Sequence, residues 1–166
     1  MNAHDLDFET LRPINLNKDG PASGTKATPF STLIEAVVSG DNAAVEALIA
    51  DDIEWGLMPY NKFLKGKAEV IPWFRAAAAD KKKPIVITYV ATKDWGVFEY
   101  WNIGIVSEEV IKFGNEQKWP WPKDPNSFLA KKYRVAQCFL YHINPEGKID
   151  CMRQYLDTGS VWAQFK

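Results

Sequence analysis

The chain has 166 residues, enough for one domain that buries about two-thirds of its unfolded surface. With 46% hydrophobic and 25% charged residues it has the composition of an ordinary globular protein, and a net charge of −1 gives no ground for a nucleic-acid or anionic-membrane partner. No apolar run reaches the roughly 18 residues of a membrane span, the N-terminus lacks a basic-then-apolar leader pattern, and two cysteines are too few for a disulfide scaffold, so the expected setting is cytoplasmic.

Residues 1–27 are polar, with Asn15, Asn17, Asp19, Gly20, Pro21, Ser23 and Gly24 close together. They read as an extended arm ahead of a single domain over 28–166. Thr28-Pro29 opens a helix whose stripe is Phe30, Leu33, Ile34, Val37 and Val38. Gly40 ends it, and Asp41 caps a second helix carrying Val45, Leu48 and Ile49. Ile53–Met58 is a short strand stopped by Pro59, with Trp55 and Leu57 on one face. A third helix follows a loop holding Tyr60 and Asn61, from about Gly66 to Asp80, and Pro72 demands a late start or a kink. Pro84–Val106 is a hairpin of β-branched and aromatic residues around Lys93-Asp94-Trp95-Gly96, where Gly96 supplies φ > 0. Alternation puts Phe98, Tyr100, Asn102 and Gly104 on one face of its second strand and Val97, Glu99, Trp101 and Ile103 on the other.

Residues 107–130, with Trp119-Pro120-Trp121-Pro122, form a long irregular insertion, either a rigid cap on the core or a lid over a pocket. Lys131–Ile143 and Lys148–Leu156 make a second hairpin around Asn144-Pro145-Glu146-Gly147, with Gly147 left-handed. In the simplest register His142 faces Asp150, Leu140 faces Met152, Cys138 faces Gln154 and Ala136 faces Leu156. Phe139 and Tyr141 then join Val97, Trp101 and Ile103 on an outer face too apolar to meet water, which implies a homodimer.

This element order resembles the nuclear-transport-factor-2-like fold over about residues 28–160. Its marks are Ser39-Gly40-Asp41 between the first helices, Ala50-Asp51-Asp52-Ile53 entering the first strand and Glu146-Gly147-Lys148-Ile149 before the last. The resemblance implies an α+β cone: a curved mixed β-sheet packed against three helices from the N-terminal half, closing a deep apolar pocket. Such folds host SnoaL-like polyketide cyclases, ketosteroid isomerases, limonene epoxide hydrolases, scytalone dehydratases and non-catalytic modules. The epoxide hydrolase's Asp–Arg–Asp relay would fall on Asn102, Tyr100 and Gln154, and its water holders on Trp55 and Leu57, so that chemistry is disfavoured. The isomerase's carboxylate would fall on Leu57 and its helix tyrosine on Leu33, with no acid between Lys132 and Ile143. The dehydratase's histidine pair has no match, since the histidines are His4 and His142.

What the resemblance leaves is a SnoaL-like enzyme, an isomerase, cyclase or lyase acting on an apolar cyclic or polyketide-like substrate. The alternative is a non-catalytic module that binds such a ligand. His142 opposite Asp150 is the acid/base candidate, because a carboxylate orients the ring and raises its pKa; the other reading is a rim pair at a strand end. Tyr100, Asn102 and Gln154 form a hydrogen-bonding set for a carbonyl or hydroxyl, with Trp55, Tyr60 and Trp73 as walls. Glu99 reads as an ion-pair partner and Asp157 as a strand-end cap. No His/carboxylate grouping has metal-ligand spacing, and no cofactor is implied.

Overall fold

A computed structural model describes residues 29–80 and 83–165. The expected arm and the Thr28 cap lie outside these residues. Helix α1 (Pro29–Ser39) buries Phe30, Leu33, Ile34 and Val37, the stripe that its spacing demands. Gly40 stops it at φ 74°, and Asp41 caps α2 (Asn42–Leu48) by accepting the Ala44 N–H at 3.0 Å. Strand β1 (Ile49–Leu57) ends in a 3-10 turn, Met58–Tyr60, and Asn61 at φ 48° reverses the chain into β2 (Lys62–Lys65). That edge strand, antiparallel to β1, is not in the sequence reading. Helix α3 (Gly66–Ala79) then buries Val70, Ile71 and Phe74 and carries Pro72 on its exposed side.

Strands β3 (Lys83–Ala91) and β4 (Trp95–Ile105) form the long hairpin, and β5 (Lys132–Ile143) and β6 (Ile149–Leu156) the second. The sheet order is β2-β1-β6-β5-β4-β3, with β1 parallel to β6 and the other pairs antiparallel. Helices α1 to α3 cover one end of its inner face, giving the mixed α+β cone. Within 107–130 the structure has order that the composition obscured. Ser107 caps α4 (Glu108–Glu116), accepting the Val110 N–H at 3.2 Å, and a 3-10 turn spans Pro125–Phe128. Asp157 caps a short α5 (Thr158–Ala163). The Gln164 carboxamide then bonds both the N–H and the C=O of Arg134, covering β5 backbone beyond the end of β6.

Two expectations fail for local reasons. Gly96 does not serve the turn: Thr92 and Trp95 close it by hydrogen bonds, and Gly96 sits inside β4 directly beneath the ring of Tyr141. The β5–β6 register holds only at the turn, where the Asn144 N–H meets the Lys148 carbonyl at 2.8 Å and Gly147 takes φ 78°. Ile143 then pairs Ile149 but His142 pairs Cys151, so Asp150 is an extra, bulged residue. A one-residue slip turns every later side chain over. Tyr141, Phe139 and Gln137 pair Met152, Gln154 and Leu156, and point inward. The proposed outer apolar face therefore loses Phe139 and Tyr141, both buried in the core.

Candidate functional site

The inner sheet face is filled at one end. Phe30 of α1 packs on the side chains of β4 and β5, its ring 4.8 Å from Tyr141, 4.9 Å from Phe139 and 5.3 Å from Phe98. Trp55 stacks on Phe74 of α3 at 4.9 Å. Along β4 and β5 toward Ile105 and Lys132 the packing opens into a cavity of about 170 Å³. Its roof comes from α4, α5 and the segment between α4 and β5, where Val106, Ile111, Phe128 and Phe165 form a second apolar cluster with Trp121 and Trp162. A void of about 150 Å³ accepts benzene, so this one has room for a ligand of one or two rings.

Three carboxamides on adjacent strands make the cavity floor: Asn102 of β4, Gln137 of β5 and Gln154 of β6. Gln137 Oε1 accepts from Tyr100 Oη at 3.0 Å and from Gln154 Nε2 at 2.9 Å. Those two bonds fix both glutamines and leave the Gln137 amine and the Gln154 carbonyl for the cavity. Asn102 is 3% exposed, and its carboxamide has no hydrogen-bond partner among the described residues. Facing the cavity, that carboxamide offers a ligand both a donor and an acceptor. Tyr100 backs this floor without lining it, and burial pushes its phenol well above the usual tyrosine range.

A second polar group comes from outside the floor. Asp80, just past the end of α3, is buried in the cavity wall. Its Oδ1 accepts from the Ser107 N–H at 3.2 Å and hydroxyl at 3.1 Å, and its Oδ2 accepts from Tyr133 Oη at 2.6 Å. The Tyr133 ring reaches Asp80 by crossing Gly104, where a Cβ would stand 2.7 Å from Tyr133 Oη. Burial, then the Asp80 charge, raises the Tyr133 phenol above the ordinary range, so it stays protonated. Asp80 is the one carboxylate among the described lining residues, and none of those is Lys, Arg or His.

At the mouth, Tyr60 stacks on Trp119 at 6.4 Å and Trp73 meets Phe113 edge-on at 5.2 Å. Tyr60, Trp73 and Trp119 also border a second, outer hollow of about 350 Å³, so they stand between the cavity and that vestibule. Lys62 pins the vestibule, donating to Gln117 Oε1 at 2.7 Å with its ammonium 5.0 Å from the Trp73 ring.

Of the residues singled out from sequence, Trp55, Tyr60, Trp73, Asn102 and Gln154 line this cavity together. His142 and Asp150 do not. They meet at 2.5 Å at the other end of β5, half-buried beside the Trp95 ring, where the pair spans the bulge. The bulge is also the reason: with odd-numbered residues of β5 inside, His142 falls on the opposite face. Gln137, Asp80 and Tyr133 are functional candidates that the sequence reading missed. Gln137 was hidden by the register slip. Asp80 carried a signal, since an anion at the carbonyl end of a helix opposes the helix dipole and needs another partner.

No family model matches the sequence, and no curated protein matches it. The fold has many matches among solved structures. A putative polyketide cyclase from Xanthomonas campestris pv. campestris aligns with TM-score 0.65 and 16% identity over 83% of this chain and 94% of its own. A limonene-epoxide-hydrolase-like (LEH-like) epoxide hydrolase from Mycobacterium tuberculosis aligns with TM-score 0.59 and 13% identity, covering 84% and 87%. A second M. tuberculosis protein, solved with estradiol-17beta-hemisuccinate, aligns with TM-score 0.59 and 18% identity, covering 80% and 93%. At these identities the likeness is one of fold.

Proposed function

We propose that this chain, which has the nuclear-transport-factor-2-like fold, is a small-molecule enzyme of the SnoaL-like type. Its substrate is a neutral, apolar cyclic or polyketide-like compound bearing a carbonyl, and its chemistry is that of an isomerase, cyclase or lyase. The observation that carries this reading is the amide floor beneath aromatic walls, with the Asn102 carboxamide at one side of it making no side-chain hydrogen bond among the described residues. Trp55, Tyr60 and Trp73 contact the ligand's apolar body, Asn102 and Gln154 its polar atoms, and Tyr100 holds the floor through Gln137. A wall with one carboxylate and no cation among its described residues disfavours anionic ligands. His142 and Asp150, away from the cavity, act as a rim pair. A second reading, a ligand-binding module without catalysis, is favoured by Leu57, Asn102 and Gln154 standing where fold relatives of the hydrolase and isomerase types would carry acids.

The test is titration of the full chain with 2-tetralone, a neutral bicyclic ketone, followed by tryptophan fluorescence. Asn102→Leu should weaken binding about 5- to 150-fold, matching the loss of about 1–3 kcal/mol at a buried polar group. Unchanged affinity would overturn the role of the floor.

Two further parts of the reading concern the setting. The protein acts in the cytoplasm, and no helix among the described residues is long and apolar enough to cross a membrane. It forms a homodimer through the outer sheet face, where Leu140 and Tyr155 are exposed and Val97, Trp101 and Ile103 half-buried. A monomer in sedimentation at micromolar concentration would contradict this.

A further inference from the structure

We infer that Asp80 and Tyr133 form a proton-transfer site in the cavity wall, with Tyr133 passing a proton from the ligand to the Asp80 carboxylate. The inference rests on the reading of the cavity as a site for neutral carbonyl compounds. It adds the ionisable group that the amide floor lacks, and takes it from α3 and β5.

The bland alternative is that Asp80 is a clasp, tying the end of α3 to the start of α4. Three observations weigh against a clasp alone. Ser107 already caps α4 through its own hydroxyl, which accepts the Val110 N–H at 3.2 Å. The Asp80 backbone carbonyl separately accepts the Ile105 N–H at 3.1 Å, so the junction is tied without the carboxylate. And the carboxylate lies in the cavity wall itself, with the Tyr133 hydroxyl on one of its oxygens and the amide floor beside that phenol.

The geometry defines the step. Tyr133 Oη donates to Asp80 Oδ2 at 2.6 Å, so its own lone pairs remain to accept a proton from a ligand. Tyr133 pairs Gly104, two residues along the same face of β4 from Asn102, which places the phenol diagonally beside the floor amide. A ketone oxygen held by the Asn102 amine would have its neighbouring carbon toward Tyr133. The C–H bond next to the carbonyl breaks and its electron pair becomes the enolate, with charge on the oxygen at Asn102. The proton moves to Tyr133 Oη as the phenol proton moves to Asp80 Oδ2. Once the pair has exchanged its protons with solvent, return of a proton to the same carbon leaves a solvent proton there, and return to a conjugated carbon isomerises the ligand. No oxidant, reductant or co-reactant enters. Tyr133 and Asp80 are the catalytic pair, and Ser107 is a positioning residue that holds Asp80 Oδ1.

The experiment follows loss of the methylene signal between the ring and the carbonyl of 2-tetralone by proton NMR in deuterated buffer with the full chain. Fluorescence binding is measured alongside. The wild type should accelerate exchange well above buffer. Asp80→Asn and Tyr133→Phe should each lower the enzyme-dependent rate by about 100-fold or more, the range of a lost general base, with affinity within about twofold. Ser107→Ala should lower it only a few-fold. If Asp80→Asn fails to fold, Tyr133→Phe still decides, because it keeps the ring over Gly104 and removes only the hydroxyl. Binding without enzyme-dependent exchange, or full exchange in Tyr133→Phe, overturns the proton-transfer site while leaving the binding site standing. No binding at all overturns the cavity reading and this inference with it.

Discussion

Two glycine–tyrosine pairs sit at opposite ends of the β4–β5 ladder, Gly96 beneath Tyr141 and Gly104 beneath Tyr133. In both, the missing Cβ lets a tyrosine ring lie across the neighbouring strand. Their surroundings differ. Tyr141 is fully buried, with Phe30 stacked on it and Phe139 and Phe98 around that ring. Tyr133 is half-buried, with cavity beside it and Asp80 at its tip. One device thus makes a closed core where a helix inserts an aromatic ring, and an open cavity wall where none does. The site is the part of the core that α1 does not reach.

Adding one methyl group at each glycine separates the two. In Gly96→Ala the new Cβ would overlap the Tyr141 ring, which close packing holds in place. The expected loss is about 3 kcal/mol of unfolding free energy, the upper range for overpacking, read from urea denaturation. Gly104→Ala should cost less, about 1 kcal/mol, because Tyr133 can swing into the cavity. It should nevertheless break the contact with Asp80 and abolish exchange of 2-tetralone protons. Equal destabilisation of the two variants would show that the open end is packed as tightly as the closed one.

The sequence reveals much of this contrast. Alternation along β4 correctly assigns Phe98, Tyr100, Asn102 and Gly104 to one buried face, because a strand covered on its inner side must repeat every second residue. The turn Asn144–Gly147 is legible because Pro145 and Gly147 restrict the backbone locally. The bulge at Asp150 is not, since it depends on pairing with β1 and β5 at once. That single residue hid Gln137 and reversed the faces of Phe139 and Tyr141. Helix α4 had readable signals in Ser107, Glu108 and Glu109, a cap followed by acids in the first turn, which the nearby Trp-Pro repeat masked. Asp80 and Tyr133 lie 53 positions apart, and only the assembled sheet brings them together.

A smaller effect sharpens the comparison by pH. The phenols of Tyr60, Tyr100 and Tyr133 are all raised by burial, and Tyr133 also by the charge of Asp80. In the unfolded chain these groups lose their protons near pH ~10, while the folded protein keeps them. The folded state then binds more protons, so stability is intact below that pH and falls as pH rises above it. Each buried phenol contributes a slope of up to about 1.4 kcal/mol per pH unit. Urea midpoints at about pH 9 and 11 should show the fall, and Tyr100→Phe should make it shallower. An unchanged slope in that variant would mean that Tyr100 titrates as freely as an exposed tyrosine.

The most direct test of the central claim is a crystal structure of the protein with 2-tetralone. The account predicts the ligand in the cavity between the aromatic walls and the amide floor. Its carbonyl oxygen should lie within hydrogen-bond distance of Asn102, and its reactive methylene should face Tyr133 Oη. A ligand seated instead in the outer hollow by Lys62, or held in the cavity with its carbonyl turned from Asn102, would contradict the account.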